Sequence, residues 1–600
     1  MKKLLNAIVV LAALMMFASC VDLNLTPLSE GSSATWYSSK EEIEMSVNDF
    51  YRTDFFPING VLWSDEIVRR NDSYCPFMGS ITAENSTVAT RWQNYYKGIA
   101  RALRLIKNMD KARELGIDEA TVTQYEGEAY FYLGFAYGML AFYWGDVILD
   151  TTGMTLEEAY GATRTEKSKV LEYSYDCLKK AADKLPKSYS GVQHATKGAA
   201  LGMLARIALY NNDFSTAAKA AKDCMDLGVY KLHDNYSDLF TTSYSDEWIF
   251  FFRGDVGLKK YYWMTADNVQ DFISRNAGGW GGARAPGLEL VCAYTCIDGK
   301  PIDESPLYNP KAIFENRDPR MAMTIQPFAQ YDEKNSPDYD PTKYNYLGYE
   351  YSPDPTAQGL KVMRMSDGSM VKNNDSKANA EHASYNGFLY KKSIDETWLE
   401  NGYKGSATTY QYLRYGDILL MYAEAMIEQN ACTQEVLDET VNKLRERAYA
   451  GTGIDYPKVV AAGMTQQQLR TMIRTERFVE LAAEGHRLED LYRWRIAEKV
   501  FNTPIYFINR AWAGANWDGD ESKTSAAYQQ LCQNWREGNY PIGGVPEIDE
   551  NGIADLSMMA DKEYVVIATQ RTFDKNRDYL WPIPAGDRLI NDGLTQNPGY

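Results

Sequence analysis

Two charged runs place titratable groups at helical spacing: Arg474-Thr475-Glu476-Arg477-Phe478-Val479-Glu480 and Glu484-Gly485-His486-Arg487-Leu488-Glu489-Asp490-Leu491. Glu476, Glu480 and His486 are the groups here that could trade protons with a substrate, since general acid–base catalysis needs titratable side chains of opposed protonation state held close together. The same spacing suits a structural purpose. Glu and Arg three or four residues apart share a helix face, and we read the two runs as an ion-pair lattice that locks neighbouring helices. A two-carboxylate glycosidase needs its acids roughly 5 to 10 Å apart. With 81 Asp and Glu in the chain, such pairs are inevitable and carry little information. No GxSxG or HExxH run is present.

A different chemistry is offered by Asn276-Ala277-Gly278-Gly279-Trp280-Gly281-Gly282, a lone tryptophan among glycines that bring no side chains to bury it. The run lacks the strand, the GxGxxG spacing and the acidic follow-up of a nucleotide fingerprint. Tyr261, Tyr262 and Trp263 lie just upstream. Flat aromatic faces pair with the apolar faces of pyranose rings, while Asn, Asp and Arg hydrogen-bond hydroxyls. Two readings of Trp280 fit the sequence: an exposed stacking platform, or a ring packed under its own loop.

Metal chemistry finds little support. Beyond Cys20, the cysteines at 75, 177, 224, 292, 296, 432 and 532 are an odd, scattered set and not a disulfide framework. Cys292 and Cys296 form the one close pair, with no second ligand pair and no histidine at zinc spacing. Carboxylate-rich loops occur without EF-hand spacing. We expect no cofactor and no metal site built from His and Cys, and calcium at the carboxylate-rich loops stays open. A formal charge of −18 over 600 residues argues against nucleic acid, whose phosphates need basic patches.

The elements that must position these residues are mainly helical. Lys2-Lys3 and the apolar run Leu4 to Phe17 read as an export signal, too short to span a membrane. Ala18-Ser19-Cys20 is the arrangement of a lipoprotein cleavage site, with residues 1–19 removed and Cys20 lipidated; ordinary cleavage near Ala18 is the alternative. Two or more acyl chains would anchor the body stably. Leu201, Leu204, Ala205, Ala208, Phe214, Ala217 and Ala221 fall at tetratricopeptide spacing, with Asn211-Asn212-Asp213 as the turn. Helix pairs are expected near 92–145, 168–226, 411–448 and 465–498, and Gly485 is the expected stop of the helix that begins near Gln468. Glu247 to Arg253 suits a buried strand. Residues 331–385, rich in Tyr, Asp, Asn, Ser and Pro, read as long irregular surface of the kind that carries binding specificity.

Three long motifs resemble one family. Leu413 to Ala425 (LRYGDILLMYAEA), Ile473 to Trp494, and Leu580-Trp581-Pro582-Ile583-Pro584 with Asn591 and Gln596 to Tyr600 look like the signatures of the SusD/RagB-like outer-membrane nutrient-binding lipoproteins. Weaker matches at Trp92 to Ile99, Glu128 to Val147 and Asp298 to Ile302 extend the likeness, although Gly134 and Ile148 stand where that family usually has Arg and Pro. The resemblance implies a mostly α fold: stacked tetratricopeptide-like helical hairpins with a loop-rich binding face and a few short strands. Hairpins are expected mainly over 40–230 and 411–498, the irregular binding-face region over about 244–405, and closing loops over 499–600, all in one body spanning 20–600.

It also implies a non-catalytic receptor for oligo- or polysaccharide, lipid-anchored on the cell surface and seated on a SusC-like TonB-dependent transporter of the outer membrane. The rival readings are an exported glycoside hydrolase and a receptor for another nutrient such as peptides. In such proteins the N-terminal loop often contributes ligand contacts; here it reads Arg69-Arg70-Asn71-Asp72-Ser73-Tyr74, which hints at polar or acidic sugars because Arg offers planar, bidentate donors. The candidate glycan contacts are therefore Trp280, Trp263, Tyr261, Arg69, Asn71 and Tyr74. Pairing of both arginines with surface carboxylates is the alternative.

Overall fold

The computed structural model describes residues 36–58, 63–69, 81–189, 194–255, 257–258, 269–394, 408–507, 511–562, 565–566 and 571–600. Helices dominate, and the strands described are short and paired two by two. The first layer is a run of antiparallel helices: α1 (Ser86–Lys107), α2 (Glu119–Trp144), α3 (Lys167–Lys184), α4 (Lys197–Tyr210) and α5 (Phe214–Met225), each packed on the next. Their starts are fixed locally. Asn85, Asp118, Thr196 and Asp213 each accept a backbone N–H of the first turn, satisfying donors that have no partner inside the helix. The turn expected at 211–213 joins α4 to α5, with Asn212 at φ 61°.

α2 is buried on nearly all sides, which requires close helix contacts. At Gly134 a Cβ would lie 2.5 Å from Leu178 and 2.8 Å from the Ser174 carbonyl of α3. Glycine there lets the two backbones approach.

After α5 the chain leaves the helical layer and returns at α6 (Tyr415–Glu428), which packs against both α5 and α8 (Gln466–Glu480). The excursion is closed by a strand ladder. β2 (Trp248–Phe252), the strand expected from its apolar run, pairs antiparallel with β4 (Tyr410–Arg414). A second ladder pairs β1 (Ile67–Arg69) with β3 (Arg284–Pro286).

Four expectations need correction. Leu413 is expected in the first helix of the 411–448 hairpin, but it lies within β4, which ends at Arg414, and the helix begins at Tyr415. At Gly416 a Cβ would meet the Arg414 guanidinium at 2.2 Å, so glycine in the first turn leaves room for that ion-paired group. The second helix of that hairpin is broken: it runs Gln434–Glu439, kinks at Thr440 with ψ −95°, and resumes as α7 (Val441–Tyr449). The Thr440 hydroxyl donates to the Val436 carbonyl across the break.

Gly485 is not the stop of α8, which ends at Glu480. Tertiary groups capture the backbone beyond that point. Tyr236 and Arg414 donate to the Glu480 carbonyl, Lys392 to that of Ala482, and the Ala483 N–H donates to Glu66. Gly485 at φ 86° lies in the turn that leads to α9 (Arg487–Arg493).

Residues 331–385 are less superficial than expected. They fold into short hairpins, Asn345–Glu350 and Lys361–Lys372, and bury Tyr346, Tyr351, Asp354, Asn373 and Asp375.

Candidate functional site

The glycine-rich loop is held by its backbone. The 3-10 turn Val269–Asp271 precedes it, and Gln270 closes it from both sides, accepting the Trp280 N–H at 2.7 Å and donating to the Gly278 carbonyl at 3.1 Å. Gly279 and Gly281 donate back to Ser274 and Ile273. Below, the buried Asp375 carboxylate accepts the Ser274 hydroxyl at 2.5 Å and the Arg275 N–H at 2.7 Å. Burial raises the Asp375 pKa, and the loop's hydrogen bonds oppose that rise. Asn276 ties the loop to Asn373 and Asn374.

The glycines are there for space and sign of φ. A Cβ at Gly279 would fall 2.4 Å from the Ile273 carbonyl, and Gly281 and Gly282 sit at φ 67° and 64°. Trp280, at the tip, is 47% exposed. A large ring half in solvent on a loop tied at its base can stack on a flat apolar partner without paying to order the loop.

The β1–β3 ladder brings a second candidate to this neighbourhood. Arg69 pairs in register with Arg284, four residues beyond Trp280. Arg69 lies in a strand and is only 9% exposed, so it is not the open loop donor the sequence suggested. Its neighbour Arg284 binds Asp271 at 2.9 Å and lies over Phe272. Trp263, Tyr261, Asn71, Tyr74, Arg70 and Cys20 lie outside the described residues.

Sequence reasoning missed the floor of this face. Lys377, Tyr385 and the Asn373–Ser376 turn come from the run taken for loose surface, and Val68 of β1 clusters with Tyr385. A dense Asn-Asn-Asp-Ser turn was the available signal.

A second hollow, of about 460 Å³, opens beside β2 and is lined by Tyr51, His194, Tyr244, Trp248, Phe251 and Arg253 among others. Tyr51 donates to Glu128 at 2.5 Å, and His194 Nδ1 meets the same oxygen at 2.8 Å. Burial pulls the His194 imidazole down, but the Glu128 carboxylate outweighs it and the net shift is upward.

Glu476, Glu480 and His486 are elsewhere and deeply buried. Arg414 binds Glu247, Glu480 and Glu484 at 2.8, 2.9 and 2.7 Å. Arg320 binds Asp318, Glu476 and Glu480 at 2.7, 2.7 and 2.9 Å. Arg477 spans Asp417 and Asp490. Although burial alone would raise it, the Arg447, Arg414 and Arg320 guanidiniums hold Glu480 far below the usual carboxylate range. Burial pushes His486 down to about 4, helped by Arg206 and Arg477 and opposed by Asp417. These groups form the expected lattice, with partners on other elements rather than one turn away on the same helix.

The lattice reaches the candidate face. Arg487 grips Asp65 at 2.9 and 2.8 Å, and the Glu66 carbonyl accepts from Tyr390 and Gly287 at the two flanks of β1 and β3. Among the described residues no three His, Cys, Asp or Glu side chains are grouped to hold a metal ion, and no helix is long and apolar enough to cross a membrane.

The stacked helices thus support a loop that carries a half-exposed tryptophan. The SusD family model matches residues 246–600, and a second model, described as starch-binding associating with outer membrane, matches 37–209. The chain belongs to the SusD family. SusD-like protein P2 of Formosa agariphila is 24% identical over 522 residues, covering 86% of this chain and 81% of that protein. A SusD-like carbohydrate binding protein from Bacteroides fragilis NCTC 9343 superposes with TM-score 0.67 at 26% identity, over 94% of this chain and all of that one. A laminarin binding SusD-like protein shares the fold at TM-score 0.53 and 18% identity, over 94% of this chain and 100% of that one.

Proposed function

We propose that this protein is a non-catalytic receptor that captures oligo- or polysaccharide on the face bearing Trp280 and delivers it to a SusC-like TonB-dependent transporter. The observation that carries the reading is a half-exposed tryptophan on a backbone-locked loop in a SusD-family chain. Support for a sugar as ligand comes from the relative described as carbohydrate binding and from the starch-binding description of the family model. Trp263, Tyr261, Asn71 and Tyr74 are proposed as further ligand contacts, with Arg69, which lies in β1. Glu476 and Glu480, which the sequence offered as acid and base groups, are buried and bound to arginines, which supports a structural role for them.

A panel of labelled glycans tests this directly. Retention of at least one polysaccharide with no release of reducing ends is expected. Shortened products from any panel member would replace the receptor by an enzyme.

The outer-membrane description of the 37–209 match supports a membrane-side location, and Ala18-Ser19-Cys20 supplies the anchor in this reading. Cys20→Ala is expected to move the protein from the membrane fraction to the soluble one. Unchanged retention in membranes would rule out lipidation at Cys20 as the tether.

A further inference from the structure

The hollow of about 460 Å³ beside β2 has one wall fixed by a buried carboxylate. Glu128 of α2 is 1% exposed, binds Nδ1 of His194 at 2.8 Å, and accepts the Tyr51 hydroxyl and the Gln124 amide. The Tyr51 hydroxyl accepts the Ala195 N–H at 3.0 Å, so the backbone beside His194 is held as well. The rings of Tyr51 and Tyr189 flank the imidazole at 5.1 and 5.8 Å. With Nδ1 engaged by a carboxylate, Nε2 is the ring nitrogen that His194 has left for a ligand in the hollow it lines. Arg253, exposed just past the end of β2, and Tyr244, 60% exposed, line the same hollow. No acidic side chain is among the described residues on its wall, in a chain whose formal charge is −18.

We propose that this hollow is a second carbohydrate site and that it takes a uronate, a sugar ring that carries a carboxylate. The ligand class rests on the receptor reading above, but the site does not depend on Trp280, since the hollow and the loop 276–282 share no residue. Its volume falls in the range of about 300–1,000 Å³ usual for ligand pockets. The Tyr244 ring offers a flat face to the apolar side of a sugar. The Arg253 guanidinium offers paired N–H donors that match a carboxylate. His194 adds a third donor at Nε2 when its imidazole is charged. Burial works against that form, and the carboxylates of Glu128 and, from the helix Lys40–Asn48, Glu44 outweigh it. A neutral sugar would leave these two basic groups without a counter-charge, and a cationic ligand would be repelled by both.

Calorimetric titration with oligomers of galacturonate, glucuronate and mannuronate, each beside its methyl ester, tests the site. At least one uronate is expected to bind about tenfold or more tightly than its ester, the scale of one hydrogen bond to a charged group. Arg253→Gln is expected to remove that preference, Tyr244→Ala to weaken both forms, and Trp280→Ala to leave the preference intact. Equal binding of acid and ester overturns the proposal, as does a preference that survives Arg253→Gln or disappears in Trp280→Ala. A neutral glycan retained while all three uronates fail overturns this site and leaves the receptor reading standing; no glycan retained at all overturns both.

Discussion

His486 shows how single residues in the interior have been fixed by their surroundings. A buried charge pair broken on one side leaves its partner uncompensated, which typically costs about 3–5 kcal/mol, so the arginines and carboxylates around Glu480 lock each other's identity. His486 stays neutral among them, with its pKa pushed down to about 4 by burial first and by Arg206 and Arg477 next. Its unfolded value is about 6.5. Between those values the unfolded chain takes up a proton that the folded chain refuses, so stability is full above about pH 6.5 and falls as pH drops toward 4. The loss from this group is about 3 kcal/mol at the lower end. Glu66, raised by burial to about 8, works in the opposite direction over part of the same window. The informative quantity is therefore the difference between wild type and His486→Gln in urea unfolding at pH 7 and at pH 4. The variant is expected to lose less stability on acidification by about 3 kcal/mol, and parallel pH curves would contradict the neutral, buried histidine.

At the scale of elements, glycine in α2 is the test of packing against propensity. Gly134→Ala should help an isolated helix by about 1 kcal/mol, yet here the new methyl group would meet Leu178 at 2.5 Å and the Ser174 carbonyl at 2.8 Å. Overpacking of this kind costs about 1–3 kcal/mol. A lower urea midpoint is expected for Gly134→Ala; a higher one would mean that α3 yields freely.

The same balance decides what could be read from sequence. The α4–α5 hairpin and β2 were legible because local apolar spacing and turn residues agreed with the final packing. The end of α8 was not, because Tyr236, Lys392, Arg414 and Glu66, from four other places in the chain, take up the backbone there. Leu413 was misplaced because its spacing to Gly416 and Leu420 matches a helical face, while its strand partner Phe250 lies far upstream. At the candidate face, the glycines around Trp280 agree with its exposure, one of the two readings the sequence left open. Its support by Asp375 was not legible, since nothing local links two residues so far apart.

In the whole molecule, a helical layer is interrupted between α5 and α6 by an excursion whose two ends are paired as β2 and β4. Irregular segments thereby acquire a rigid base, and the loop carrying Trp280 is hydrogen-bonded into that base rather than hung from it. The lattice of buried charges joins this base to α8 and α9 through Asp65 and Arg487. The proposed function stands on Trp280 as the stacking platform of a glycan receptor. Calorimetric titration of wild type and Trp280→Ala with a polysaccharide retained in the panel tests it most directly. A loss of about 1–3 kcal/mol of binding free energy is expected, by analogy with base stacking on aromatic side chains, with a melting temperature close to that of wild type. Unaltered affinity, or a collapse of the melting temperature, would contradict it.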